Sequence, residues 1–171
     1  MGFEYWDNSG TIEGDLLNNL ILVDNTVEGL DVCATPEFHV LGGAALIFNG
    51  INYNVTLDID TANKISDDIS DKIETFINSM ASEVVVLPKR YTSRLIPYRP
   101  EVFQSIKVFT LCNEDILYTK LSSNRAKDFT QVKTTNILQK IDKEKFLDIV
   151  NLETPEEYKD LVLQKFYSLS S

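Results

Sequence analysis

One short segment, residues 37–60, constrains the fold of this 171-residue chain more than any other. Its apolar run EFHVL predicts a buried strand that stops at Gly42 and Gly43. The run GGAALIFNG predicts a short helix closed by an Asn-Gly pair, and VTLDID alternates as a strand does. Fourteen residues separate Gly43 from Asp58, and one isoleucine separates Asp58 from Asp60. The segment therefore predicts a strand, a glycine turn, a helix and a second strand that ends in two aspartates.

The remaining patterns predict helices before, between and after a group of central strands, with no internal repeat and no linker. Helices are predicted from Thr11 to Leu30 with Thr11 as cap, over SDDISDKIETFINSMA, over NEDILYTKLSS with Asn113 as cap, from about Lys127 to Gln139, and over KEKFLDIVN and TPEEYKDLVLQKFYSL. Strands are predicted for SEVVVLP, YTSRLIPYR and SIKVFTL. This order favours an α/β (α+β) fold, in which a core over residues 1–110 carries a helical segment over 111–171 as one compact domain.

The composition is that of one globular domain, with 43% apolar residues and no window approaching eighteen uninterrupted apolar residues. The N-terminus has no basic segment followed by an apolar one, so no secretory signal is predicted. These observations predict a cytoplasmic protein without a membrane partner. Cys33 and Cys112 are isolated thiols, for which reduced core cysteines are favoured over a disulfide.

Positive charge is unevenly placed in this acidic chain, whose net charge is −10 and whose pI is near 4.5. That balance argues against a broad basic surface for nucleic acid. The first 60 residues contain no Lys or Arg, whereas Lys120, Arg125 and Lys127 fall within eight residues. The distribution is compatible with a small anionic ligand bound at one site. The alternative is a set of solvated side chains on loops and helix faces.

The two aspartates suit divalent metal chemistry. On a strand, Asp58 and Asp60 would project from one face with their Cα atoms roughly 6.5–7 Å apart. Mg²⁺ takes one or two protein carboxylates and leaves positions for water and phosphate. Gly42 and Gly43 would let the backbone approach a phosphate at the start of the following helix. The competing interpretations are a solvated strand end for the aspartates and a simple tight turn for the glycines.

The array GGAALIFNGINYNVTLDID resembles the signature of the nucleotidyltransferase superfamily with the DNA polymerase β-like fold. A second stretch, EDILYTKLSSNRAKDFTQV, resembles the Lys-Leu and Arg-x-Lys-Asp segment of bacterial minimal nucleotidyltransferases, among them the abortive-infection type toxins. Together the matches cover roughly residues 36–140. The resemblance implies a small mixed sheet flanked by helices and a Mg²⁺ or Mn²⁺ cofactor.

Carried over residue by residue, the resemblance implies that Gly42 and Gly43 contact a triphosphate and that Asp58 and Asp60 ligate the metal. Lys120 would neutralise phosphate charge, Asp128 would act as base or orienting group, and Arg125 and Lys127 would join the anion site. Many members of the superfamily have a third carboxylate on a strand after the helix that follows the two aspartates. No clear equivalent is found here: SEVVVLP offers only Glu83 at its start, and the two later strands carry no acid.

Other residues have simpler interpretations. His39, the only histidine, is expected to be a satisfied core residue. Arg94 and Arg99 are expected to be solvated on loops rather than to bind phosphate, and the aromatic residues around Trp6 are expected to anchor the N-terminus or to belong to a disordered end.

Two functions from different classes follow. The first is a Mg²⁺-dependent nucleotidyltransferase that moves a nucleoside monophosphate from a nucleoside triphosphate to a hydroxyl acceptor, such as a tRNA end, a protein or a small molecule. The second is a catalytically weak or inactive relative that acts as a nucleotide-binding or protein-interaction module, as one component of a toxin–antitoxin pair. A generic α/β domain with a coincidental motif is the third alternative.

Overall fold

The computed structural model describes residues 2–53, 56, 58–78 and 85–170. The described part contains α1 (Ile12–Glu28), α2 (Gly42–Phe48), α3 (Asp67–Ile73), α4 (Asn113–Ser122), α5 (Ala126–Thr134), α6 (Lys143–Glu153) and α7 (Glu156–Ser170). Its strands are β1 (Glu37–Leu41), β2 (Ile59–Thr61), β3 (Ile77–Asn78), β4 (Ile96–Pro97) and β5 (Lys107–Thr110). Short 3-10 helices span Phe3–Tyr5, Tyr91–Arg94 and Ile137–Gln139. The predicted mixed fold with a C-terminal helical segment is confirmed.

The five strands form one mixed sheet in the order β3-β2-β1-β5-β4. β1 is central, and it pairs antiparallel with β2 and parallel with β5. The β3 strand pairs parallel with β2, and β4 pairs antiparallel with β5. Phe38 and Val40 of β1 are fully buried, as a strand with neighbours on both edges requires. The site-bearing strand β2 therefore lies directly beside the strand that ends at the glycines.

Helix α1 begins as its sequence predicts. The Thr11 side chain accepts a hydrogen bond from the backbone N–H of Gly14, which satisfies one of the free donors of the first turn. Apolar residues recur along α1 at helical spacing: Leu16, Leu20, Val23 and Val27 are buried, and Ile12 at the start of the row is partly buried. Asp24 on the same helix is 1% exposed, and its carboxylate accepts the backbone N–H groups of residues 104, 105 and 106 at 2.7 to 3.2 Å. This carboxylate ties α1 to the turn before β5.

Helix α3 is shorter than its amphipathic pattern predicts, and this part of the prediction is wrong. The helix ends at Ile73, and Ile77 and Asn78 pair in register with Ile59 and Asp60 as strand β3. A β-branched residue fits such a pleated, half-buried surface, and a sheet partner distant in sequence outweighs local helical periodicity. Residues 79–84, which include Met80, Glu83 and the first three residues of the predicted SEVVVLP strand, lie outside the described residues. The last four residues of that stretch, 85–88, are described and do not form a strand, so this part of the prediction is wrong.

The boundaries of the C-terminal helices differ in detail from the prediction. Cys112, not Asn113, occupies the N-cap of α4, and Asn113 is the first helical residue. The predicted helix from Lys127 to Gln139 is instead α5 followed by a separate 3-10 turn. Helix α4 packs against α5, α6 and α7 and also against α2, so it joins the helical segment to the sheet core.

A buried ion-pair network connects the segment before β4 to two of these helices. Arg94 is 16% exposed at its side chain and donates hydrogen bonds to both Asp115 of α4 and Glu153 of α6. Burial alone would lower the pKa of Arg94, but its hydrogen bonds to Glu153 and Asp115 outweigh burial, so the pKa lies above its ordinary value. The expectation of a solvated Arg94 is therefore wrong, because the carboxylates that bury it come from distant helices.

The remaining expectations concern thiols and membrane spans. Both cysteines are free, with Cys112 buried and Cys33 exposed, so only Cys112 is a core residue. Among the described residues, no helix is both long and apolar enough to cross a membrane.

Candidate active site

The glycine pair forms the turn between β1 and α2. Gly42 has φ +69°, a left-handed conformation that favours glycine, and a Cβ there would lie 3.5 Å from Oδ2 of Asp60. A Cβ on Gly43 would lie 2.7 Å from Cε1 of Tyr53 and 3.0 Å from Cβ of Thr56. Gly42 is therefore required by backbone conformation, and Gly43 by the close packing of the loop that follows α2.

The two aspartates stand beside this turn. Asp60 of β2 pairs with Leu41, the last residue of β1, so sheet register alone brings Asp60 to the glycines. Asp58 directly precedes β2 and is exposed. Its backbone N–H and C=O both lie 3.4 Å from the Thr56 hydroxyl. Both carboxylates and the Thr56 side chain line one cleft together with Gly42 and Gly43.

The side of the cleft that carries Asp58 and Asp60 is called the acidic wall here, and the uncharged Asn78 lies beside these two residues. It is the β3 partner of Asp60, on the strand that follows the helix after the two aspartates. Burial raises the pKa of Asp60, a hydrogen bond from Asn78 works to lower it, and the neighbouring charge of Asp58 raises it again. A neutral amide therefore stands where a third carboxylate would meet Asp60.

A basic wall faces the carboxylates. Lys120, near the C-terminal end of α4, is 5% exposed, and its Nζ lies 3.6 Å from Oδ1 of Asp128. Arg125 and Lys127, before and in the first turn of α5, line the same cleft. Burial lowers the pKa of Lys120, against the opposing effect of the Asp128 charge. A phosphate that enters the cleft would offset this desolvation.

Asp128 forms ion pairs with two of these cations, Lys120 and Arg125. Arg125 donates to it through Nε at 2.8 Å and through Nη2 at 3.2 Å. Burial works to raise the pKa of Asp128, but hydrogen bonds from Ser123 and Arg125 and the charges of Lys120 and Arg125 outweigh it and lower the pKa. An ionised carboxylate shared by two cations is a weak base and a strong anchor, so this geometry favours orientation over proton transfer for Asp128.

Two uncharged residues complete the basic wall. Gln131 is one helical turn after Asp128 on α5, accepts a hydrogen bond from Lys120 Nζ and donates one at 2.7 Å to the Tyr53 hydroxyl. The i, i+3 spacing of Asp128 and Gln131 is a signal that sequence reasoning could have used. Nothing in the sequence pairs Tyr53 with Gln131, and Asn78 was hidden in a predicted helix.

All the predicted site residues lie around one cavity of about 210 Å³. It brings together Gly42, Gly43, Asp58, Asp60, Lys120, Arg125, Lys127 and Asp128, and it adds Tyr53, Thr56, Asn78 and Gln131. A second cavity of about 270 Å³ adjoins it and shares Gly42, Lys120, Arg125 and Asp128. Residues from β2 and from α4–α5, such as Asp60 and Lys120, which are 60 positions apart in the chain, therefore face each other across one opening.

The donor set fits a hard divalent cation better than a softer metal. No cluster of three His, Cys, Asp or Glu side chains that could hold a metal occurs among the described residues. Of the three carboxylates that line the cleft, Asp128 is paired with Lys120 and Arg125, which leaves Asp58 and Asp60 available. Two carboxylates, with the Thr56 hydroxyl and Asn78 amide nearby, match the oxygen ligands of Mg²⁺ or Mn²⁺, which keep water and substrate oxygens in their remaining positions.

The residues set aside on sequence grounds lie outside this cleft. His39 is 8% exposed, with its ring nitrogens 3.2 Å from the Tyr91 hydroxyl and 3.4 Å from a Glu37 carboxylate oxygen, as a satisfied core residue should be. Arg99 is paired with Glu101 at the surface. The Trp6 ring is 37% exposed and packs on Phe3, so it does not anchor the N-terminus in the core.

Comparison with known proteins agrees with this chemistry at the family level. A family described as "Nucleotidyltransferase of unknown function (DUF6036)" matches residues 18–169, a stretch that contains the whole cleft. No curated protein and no solved structure matches the chain. Because the match spans most of the sequence, the chain belongs to this family of nucleotidyltransferases of unknown function.

Proposed function

We propose that the protein is a Mg²⁺-dependent nucleotidyltransferase that transfers a nucleoside monophosphate from a nucleoside triphosphate to a hydroxyl acceptor and releases pyrophosphate. One observation carries the proposal: Asp58 and Asp60 and three cationic side chains line the same cleft, with a glycine turn between them. A third carboxylate, Asp128, also lines the cleft but is paired with Lys120 and Arg125.

The two aspartates, the glycine turn and the cationic side chains would each contribute differently to this reaction. Asp58 and Asp60 hold the divalent ion, which when bound neutralises phosphate charge and lowers the pKa of the acceptor hydroxyl. Gly42 leaves the backbone of the turn open to the triphosphate on the side of Asp60, and Gly43 lets Tyr53 and Thr56 pack closely against the turn. Lys120, Arg125 and Lys127 balance the charge of the departing pyrophosphate, and Asp128 holds the first two in place.

The chemistry is a single displacement. The acceptor oxygen bonds to the α-phosphorus while the bond from that phosphorus to the pyrophosphate oxygen breaks, and the acceptor proton leaves to solvent or to a cleft carboxylate. Positioning and charge neutralisation supply most of the rate in such transfers. A net charge of −10 favours a small molecule or a protein as the acceptor over a long RNA. If the acceptor is an RNA, the end of a tRNA fits best.

Calorimetry with ATP, CTP, GTP and UTP, with and without Mg²⁺, tests binding, and transfer of label from an α-labelled triphosphate tests the reaction. The expected result is Mg²⁺-dependent binding that Asp58→Asn and Asp60→Asn abolish. Asp71→Asn, an exposed change on α3 outside the cleft, is the matched control. Equal binding by wild type and both cleft variants would contradict the proposed metal site.

Asn78 supports a second candidate, a nucleotide-binding module with weak or no catalysis that serves in a toxin–antitoxin pair. An amide beside Asp60 cannot contribute the charge of a third carboxylate. This candidate predicts triphosphate binding without label transfer by the wild type, and a gain of transfer in Asn78→Asp. Transfer by the wild type that exceeds a Asp60→Asn background by orders of magnitude would rule it out.

A further inference from the structure

We propose that Gln131 is a positioning residue of the nucleotide site: it holds the Lys120 ammonium at the basic wall and, through Tyr53, fixes the loop that packs on the glycine turn. The inference rests on the proposed nucleotide site and deepens it. It assigns a role to two uncharged side chains, Tyr53 and Gln131, that lie within the two matched stretches but that the resemblance gave no role.

Gln131 helps to determine the position of the Lys120 ammonium. A lysine side chain has four rotatable methylenes and three N–H donors, so its acceptors decide where the charge rests. Among the described residues, the Lys120 ammonium has two such partners, the Gln131 side-chain oxygen and Asp128 at 3.6 Å. Because Lys120 is 5% exposed, water is a poor substitute for a lost acceptor. Without Gln131 the ammonium would be drawn toward Asp128, which already binds Arg125.

Gln131 also contacts the loop after α2. Gln131 donates its amide N–H to the Tyr53 hydroxyl at 2.7 Å, and the Tyr53 ring lies where a side chain on Gly43 would have to go. One residue earlier, Asn52 and Asn136 exchange backbone-to-side-chain hydrogen bonds at 3.1 and 2.6 Å. Helix α5 and the turn after it therefore hold Asn52 and Tyr53, which follow α2, beside the glycine turn.

An amide suits this position because it accepts from one partner and donates to the other without adding charge. A methionine there would keep most of the volume and lose both hydrogen bonds. Tyr53→Phe removes only the distal bond and keeps the ring beneath Gly43. These two changes separate the ammonium contact from the loop contact.

The test measures Mg²⁺-dependent binding of ATP, CTP, GTP and UTP and of inorganic tripolyphosphate by calorimetry, with thermal unfolding as the check on folding. We expect Gln131→Met to weaken binding of the triphosphates and of tripolyphosphate about tenfold, the effect of one lost hydrogen bond to a charged group. Tyr53→Phe should weaken them less, about threefold. Gln139→Met, an exposed change beyond α5, should have no effect. If Gln131→Met does not fold, Gln131→Asn, whose amide is too short to reach Lys120, replaces it.

A double-mutant cycle distinguishes positioning from general structure. If Gln131 acts through Lys120, Gln131→Met in a Lys120→Met background should add only the loss of about threefold that belongs to the Tyr53 contact, whereas an independent structural effect would add the full loss of about tenfold. Equal binding by wild type and Gln131→Met, or full additivity, would overturn the positioning role and leave the nucleotide site standing. A wild type that binds neither triphosphate nor tripolyphosphate would overturn the nucleotide site itself, and this role with it.

Discussion

Replacing Arg94 by methionine tests the buried network that joins the sheet core to the C-terminal helices. Arg94 contacts Asp115 at 2.9 and 3.0 Å and Glu153 at 2.6 and 2.9 Å, and these carboxyl groups belong to residues only 0% and 4% exposed. After Arg94→Met, Asp115 would keep the Cys112 thiol and Glu153 would keep Arg90 as donors. Removal of one partner from a buried ion pair costs about 3–5 kcal/mol. We expect the free energy of unfolding to fall by that amount.

Urea denaturation at pH 7, followed by circular dichroism, measures this loss. The matched control is Arg99→Met, which removes an exposed pair with Glu101 whose side chains are 42% and 53% exposed. Such a pair contributes about 0–1 kcal/mol. If Arg94→Met costs no more than Arg99→Met, the network does not hold the helices to the core, and the reasoning is wrong.

The same comparison has a predicted pH dependence. The hydrogen bond from Arg94, with a further one from the Arg90 backbone, holds the pKa of Glu153 below its ordinary value against the effect of burial. A depressed carboxyl pKa contributes stability that is present above the unfolded pKa of about 4.3 and is lost as pH falls through the folded value. The stability gap between wild type and Arg94→Met should therefore narrow below about pH 4.3.

Three further outcomes are expected. Gly42→Ala and Gly50→Ala, both at φ near +70°, should each cost about 1–2 kcal/mol in urea denaturation, but only Gly42→Ala should also weaken triphosphate binding in calorimetry. Gly43→Ala should lower the melting temperature and shift the Tyr53 ring resonances in NMR spectra, because its Cβ would overlap that ring. Asp24→Leu should cost about 3 kcal/mol or more in urea, since three backbone N–H groups lose their acceptor; a loss below 1 kcal/mol would refute that assignment.

Local patterns predicted the elements around the glycine turn because their causes are local. The Thr11 cap, the strand that stops at Gly42 and the helix that closes at Asn49 and Gly50 each depend on residues within a few positions of one another. The gathering of Asp58 and Lys120 at one cleft came from the resemblance, since periodicity carries no information on contacts between distant segments.

The errors have the opposite cause. Residues 74–78 continue an apolar helical pattern, but pairing with β2 makes Ile77 and Asn78 a strand, and this pairing is what brings Asn78 to Asp60. Arg94 sits in a polar segment that suggests solvent, and only the packing of α4 and α6 supplies its two carboxylates. In both cases long-range contacts outweigh local preference.

The acidic and basic residues of the cleft come from different parts of the chain, which has a consequence during synthesis of the protein. The carboxylates of β2 come from a half of the chain whose first 60 residues contain no Lys or Arg, and their counter-charges arrive only with α4 and α5. A nascent chain that has emerged only as far as the sheet would repel polyphosphate. Affinity for an anion at this cleft would therefore appear only once the later helices have docked.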